Sequence, residues 1–133
     1  MTAHFAELDA GQTVYIASKT KHAWRWRELR ENGYPVISTW IDESGAGETS
    51  DFADLWLRCV HEASHCDALI LYREPDEILK GAWVEAGAAL ACGIPVFSVG
   101  CEAFSFVNHP GVSTHSSIYA AISAIRAALS VQP

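Results

Sequence analysis

Short β-rich apolar runs alternate with stretches whose apolar residues recur at helical spacing, and this alternation limits the 133-residue chain more than any other feature. Residues 13–18 (TVYIAS) read as a strand, and residues 21–32 as a helix with His22, Trp26, Leu29 and Gly33 at helical spacing. Residues 35–41 (PVISTWI) read as a second strand and 42–50 as a Gly-rich loop. Residues 51–65 then carry the helical stripe Phe52, Leu55, Trp56, Cys59, Val60 and Ala63. Residues 67–72 (DALILY) are apolar almost throughout, as expected of a parallel strand buried on both faces. A small-residue helix over 81–92 closes at Gly93 and precedes a fourth strand at 95–100 (PVFSVG). Residues 111–114 offer a fifth strand, and Ser117 can cap a last helix bearing Ile118, Ala121, Ile122, Ile125 and Leu129. The expectation is a single α/β domain spanning 1–133. It is an open, doubly wound parallel sheet of Rossmann/flavodoxin-like type, with four to five strands and helices on both faces.

Composition narrows the partners. Half of the residues are hydrophobic and 19% are charged, enough for a core without metal or disulfide staples. The net charge of −7, with no basic run, leaves no cation stripe to neutralise a phosphate backbone, so DNA or RNA is not the expected partner. No stretch approaches the roughly 18–20 continuous apolar residues of a membrane span, and residues 1–12 lack a basic start followed by an apolar run. Cys59, Cys66, Cys92 and Cys101 contain no Cys-x-x-Cys pair and read as small core hydrophobes in a reducing compartment. A cytoplasmic protein acting on a small ligand or a protein is expected.

In such folds ligands bind beyond the carboxyl ends of the strands. The loops at 18–22, 42–50, 73–82 and 101–110 are therefore the places to seek chemistry. Glu85 follows one of them, in the opening turns of an otherwise apolar helix. The partial positive charge of a helix start favours an ionised carboxylate there, suited to a nucleophile or base. An ordinary glutamate on a solvated face fits the same spacing. His61-Glu62-Ala63-Ser64-His65 matches the His-Glu-x-x-His zinc pattern, with Glu85 twenty residues on as a third ligand. However, His61 and His65 share a polar face with Asp54, Arg58 and Glu62, opposite the apolar stripe, so no metal is expected.

Three weaker features remain. Gly45 and Gly47 lack the third glycine of a dinucleotide loop and read as a mobile loop. Ser18-Lys19-Thr20-Lys21 suits either a phosphate or a plain helix cap. Trp24 and Trp26 lie about 200° apart around one helix, so both cannot face the core. One of them is available to a ligand or to the interface of an expected homo-oligomer, although a half-covered surface tryptophan is the commoner outcome.

Val14-Tyr15-Ile16-Ala17, the run CDALILY, Pro75-Asp76-Glu77, and GAWVEAGAALACGIPV together resemble the nucleoside 2-deoxyribosyltransferase family and its nucleotide N-glycosidase relatives. The resemblance spans residue 13 to about residue 129. Its most specific part is Gly81-x-x-x-Glu85-x-Gly87 followed by Gly93-x-Pro95-Val96. It implies that Glu85 is the nucleophile on the anomeric carbon of the sugar and that Tyr15 lies beside it. At positions where the family's transferases often carry aspartates this chain has Leu79 and Cys59, with Asp76 and Glu77 in the same loop as Leu79. Ala17, Ser18, Lys19, Asp76, Gly81, Trp83 and Asn108 are the candidate substrate-binding residues, with no cofactor expected. The implied activity is cleavage or transfer of the N-glycosidic bond of a (deoxy)nucleoside or nucleoside 5′-monophosphate through a glutamyl-sugar ester. A binding or sensing module for a nucleotide-derived ligand is the alternative, and a zinc hydrolase the distant third.

Overall fold

The computed structural model describes residues 12–43 and 51–130. Strand β1 (Val14–Ala17) leads through a 3-10 turn (Thr20–His22) into α1 (Ala23–Glu31). After a second 3-10 turn (Thr39–Asp42) come α2 (Phe52–His65), β2 (Ala68–Tyr72) and α3 (Gly81–Ala91). Strand β3 (Val96–Val99), a 3-10 turn (Ser105–Asn108), β4 (Val112–His115) and α4 (Ile118–Ser130) complete the order. The four strands pair in parallel in the order β1-β2-β3-β4, with Tyr15 beside Leu69, Leu69 beside Val96, and Val96 beside Val112. Strand, crossover helix and parallel strand make this a Rossmann-like open α/β sheet.

Side-chain alternation divides the sheet into two faces. Tyr15 faces α2 and α3, which pack against one another and hold Cys59 and Glu85. Tyr72 points to the other face, where Trp26 of α1 meets its ring edge-on at 5.1 Å and α4 closes the groove. Between them Ile16, Leu69, Ile70, Leu71, Val96, Ile122 and Ile125 are wholly buried. Asp51 caps α2 by accepting from the Asp54 N–H at 3.0 Å, and Ser117 caps α4 through the Ala120 N–H at 3.1 Å. The expected fifth strand is present as β4.

The expected second strand at 35–41 is not formed. The Val14 N–H donates to the Pro35 carbonyl and the Ile37 N–H to the Val14 carbonyl, leaving one parallel bridge between Val14 and Val36. Beyond it side chains replace the main-chain ladder. The Ile16 N–H donates to Ser38 Oγ at 2.7 Å, and Trp40 Nε1 donates to the Ile16 carbonyl at 2.9 Å. With that edge of β1 satisfied, residues 39–42 wind into a 3-10 turn. The segment still alternates in burial as a strand would, since Val36, Ser38 and Trp40 are buried and Ile37 and Thr39 are half-buried.

At the carboxyl end of the sheet Gly100 has φ +82°. A Cβ there would lie 1.9 Å from the Arg73 carbonyl oxygen, so the loops after β2 and β3 meet only because this residue is glycine. Cys59, Cys66 and Cys101 are buried free thiols, but Cys92 is exposed at the end of α3, where the chain is turning out of the helix. Among the described residues no helix is long and apolar enough to cross a membrane.

Candidate active site

Helix α3 buries one side, Ala82, Glu85, Ala86 and Ala89. The small side chains let α2 and β1 come close, which carries Glu85 inward with them. Glu85 is 9% exposed and is not the solvated surface glutamate that its spacing also allowed. It lines a cavity of about 380 Å³ beyond the carboxyl end of β1. The loop after β1 contributes Ser18, Lys19, Thr20 and Lys21, and α2 contributes Phe52, Leu55, Trp56 and Cys59. Trp40 and the segment Leu79-Lys80-Gly81-Ala82 complete the wall. At Gly81 a Cβ would come within 3.3 Å of Trp56 Cη2, so glycine lets the start of α3 press against that ring.

Burial is the main influence on the Glu85 carboxyl, raising it from 4.5 to about 7. Tyr15 and Cys59 act against this by offering hydrogen-bond donors, while the charge of Glu62 adds to the rise. The expectation was of a carboxylate held ionised by the helix start; Glu85 lies beyond the first turn of α3, and burial leaves the carboxyl near neutrality. The Tyr15 hydroxyl is wholly buried and makes no hydrogen bond of full geometry among the described residues, although it faces both Glu85 and Cys59. Burial, reinforced by the Glu85 charge, pushes the tyrosine well above its ordinary range and keeps it a neutral donor. Burial also raises the Cys59 thiol to about 11.

The cavity lining includes every lysine in the chain: Lys19, Lys21 and Lys80. Lys19 Nζ donates to the Ile78 carbonyl at 2.9 Å, and Lys21 Nζ lies 3.2 Å from Glu77. His22 Nε2 meets Glu77 at 2.8 Å with both side chains buried, and Glu77 Oε1 accepts from the Glu74 N–H. Burial alone would raise the Glu77 carboxyl, but the Glu74 N–H, His22 and Lys21 together hold it below its usual value. These contacts fasten the loop after β1 to the loop after β2. Trp26 adds a further tie from below, its Nε1 donating to Ser18 Oγ at 2.9 Å.

Of the expected site residues, Glu85, Ser18, Lys19 and Gly81 line this cavity and Tyr15 lies behind Glu85. The other four do not line it. Ala17 is buried within β1. Asp76 occupies an exposed turn with φ +68°, a backbone setting that aspartate tolerates. Trp83 packs against Phe104 and Phe106, each ring centroid 5.3 Å away, because its place on α3 is turned from α2. Asn108 is exposed and donates to the Ser105 carbonyl. Trp40, Phe52, Trp56, Cys59 and Lys80 were not among the expected binding residues. Phe52 and Trp56, placed on the apolar stripe of this helix, are 61% and 44% exposed and form part of the cavity wall.

His61 and His65 are exposed, their rings stack at 4.1 Å, and Glu62 accepts from the Thr39 N–H and hydroxyl. None of the three lines the cavity. His22, Glu74 and Glu77 bring possible ligand atoms within 4.8 Å of one another, but Lys21, Arg25 and Tyr72 already engage the two carboxylates. Gly45 and Gly47 lie outside the described residues. Trp26 is buried, whereas Trp24 is 55% exposed with the Arg25 guanidinium 4.9 Å over its ring. No family model, curated protein or solved structure matches this chain.

Proposed function

We propose that this protein breaks the N-glycosidic bond of a nucleoside 5′-monophosphate, with Glu85 as the nucleophile. The observation carrying this reading is a buried carboxylate without an ion-pair partner among the described residues, set in an aromatic-walled cavity beside a neutral tyrosine. In its ionised form Glu85 attacks C1′ of the sugar. The C1′–N bond breaks, its electrons leave with the base, and the base takes a proton from solvent. Water then attacks C1′ of the glycosyl ester, releasing the sugar phosphate and restoring the carboxylate. Tyr15 orients the carboxylate without neutralising it, and Phe52, Trp56 and Trp40 supply apolar faces for a planar base. The lining lysines favour a phosphorylated substrate over a free nucleoside, Lys19 and Lys80 having no carboxylate partner among the described residues while Lys21 is paired with Glu77.

One observation favours a second reading. Glu85 is the single carboxylate among the described lining residues, so no second acid stands ready to protonate the leaving base. A module that binds or senses a nucleotide-derived ligand needs no such acid. Incubation with a panel of nucleosides and 5′-monophosphates, with and without an acceptor base, separates the two by chromatography of released base. Release from monophosphates that is lost in Glu85→Gln supports the enzyme. Tight binding without release in the wild type supports the module.

The same reading includes self-association. The outward side of α3 carries Val84, Gly87, Ala88 and Ala91 without a polar side chain, and neighbouring α2 adds exposed Phe52, Trp56 and Leu57. A second copy is the fitting partner, since an uncharged face spares two acidic chains their mutual repulsion. Free thiols accord with a reducing, cytoplasmic setting.

A further inference from the structure

We infer that Cys59 is a positioning residue for Glu85, its thiol proton and the Tyr15 hydroxyl together holding the buried carboxylate in place. Its consequence for turnover rests on the glycosidase reading, whereas its consequence for Glu85 itself does not. Helix α3, which carries Glu85, packs against both α2, which carries Cys59, and β1, which carries Tyr15. Cys59 is 4% exposed and Glu85 is 9% exposed, and both line the same cavity. No cation pairs with Glu85 among the described residues. A carboxylate in that position depends on neutral donors; the Cys59 thiol shares its cavity wall and the Tyr15 hydroxyl lies behind it, and both act to lower its pKa without a hydrogen bond of full geometry at rest. The Tyr15 hydroxyl is itself fully buried and short of a complete hydrogen bond, so the carboxylate it faces is also its natural acceptor.

The other charged groups sort into opposing and distant ones. Glu62, also on α2, opposes ionisation of Glu85, while Arg58 acts on Cys59. Lys19, Lys21 and Lys80 lie around the cavity wall without an ion pair to Glu85. A thiol raised to about 11 stays protonated at neutral pH. Cys59 is therefore a donor here and does not compete with Glu85 as the attacking group.

The test pairs Cys59→Ala, which removes the donor, with Cys59→Ser, which restores one. The Glu85 carboxyl is followed through pH by infrared difference spectroscopy on ¹³C-glutamate-labelled protein, with Glu85→Gln as the blank. The rising limb of kcat/KM is followed in parallel on a nucleoside 5′-monophosphate. Cys59→Ala is expected to move the Glu85 midpoint up by about one pH unit and to lower kcat/KM at pH 7 about fivefold, with Cys59→Ser returning both. If Cys59→Ala does not fold, Cys59→Val removes the same donor while keeping the space of the thiol filled. A midpoint that moves by less than 0.3 unit, on the order of the measurement error, overturns the inference even if turnover is normal. A full shift in a protein that turns over no nucleotide sustains the inference and removes the glycosidase reading instead.

Discussion

Replacing Glu85 with glutamine should stabilise the protein at alkaline pH by an amount that follows from the burial of the side chain. Folded Glu85 keeps its proton up to about pH 7, while an unfolded glutamate releases it near 4.5. Between those values the native state binds more protons than the unfolded state, so stability falls as pH rises, and the loss is complete above about pH 7. At roughly 1.4 kcal/mol per pH unit the full effect is about 3 kcal/mol. Glu85→Gln removes it, and any constant cost of the amide cancels when the variant and wild type are compared at two pH values. Urea unfolding at pH 4 and pH 8 should show the stability difference swing in favour of the variant by about 3 kcal/mol. In a domain of this size the corresponding swing in Tm is about 10 °C. A difference that stays within about 1 kcal/mol across that range would refute the desolvated-carboxylate account. Such a group weakens the fold at the pH where it is charged, a cost that a purely structural role does not offset.

Three further outcomes are expected. The nucleophile must be ionised, so wild-type kcat/KM should rise with pH through a midpoint near 7, and a rate that falls over that range would point to Glu85 as an acid. Lys80→Gln should raise KM for a 5′-monophosphate about tenfold while leaving a free nucleoside within about twofold; equal effects on both would remove the phosphate assignment. Val84→Glu places a charge on the uncharged face of α3, and light scattering should show a wild-type oligomer reduced to a 14.5 kDa monomer, whereas a monomeric wild type would end the proposal of self-association.

The sheet and its helices were legible because burial imposes periods that survive in the sequence. DALILY becomes β2, GAWVEAGAALA becomes α3, and Gly93 takes the left-handed conformation at φ +76° that ends that helix. The strand expected at 35–41 failed for a tertiary reason, since Ser38 and Trp40 bond to Ile16 through side chains that no local pattern connects to it. Phe52 and Trp56 belong to a helical stripe whether they face a core or a cavity, and only the neighbouring start of α3 decides which. Position along the chain identified Glu85 as a candidate. Its ionisation depends on how much water α2 and β1 exclude, which spacing does not encode. Trp83 lies two residues before Glu85 and so faces a different side of α3, among Phe104 and Phe106.

The most direct measurement is covalent trapping. A 2-deoxy-2-fluoro nucleoside 5′-monophosphate slows the second step more than the first, so a glycosyl ester should accumulate with release of one equivalent of base. Peptide mass spectrometry should place the added mass on Glu85, and the adduct should be absent from Glu85→Gln. Attachment to another residue, or sustained release of base without any adduct at Glu85, would contradict the central claim.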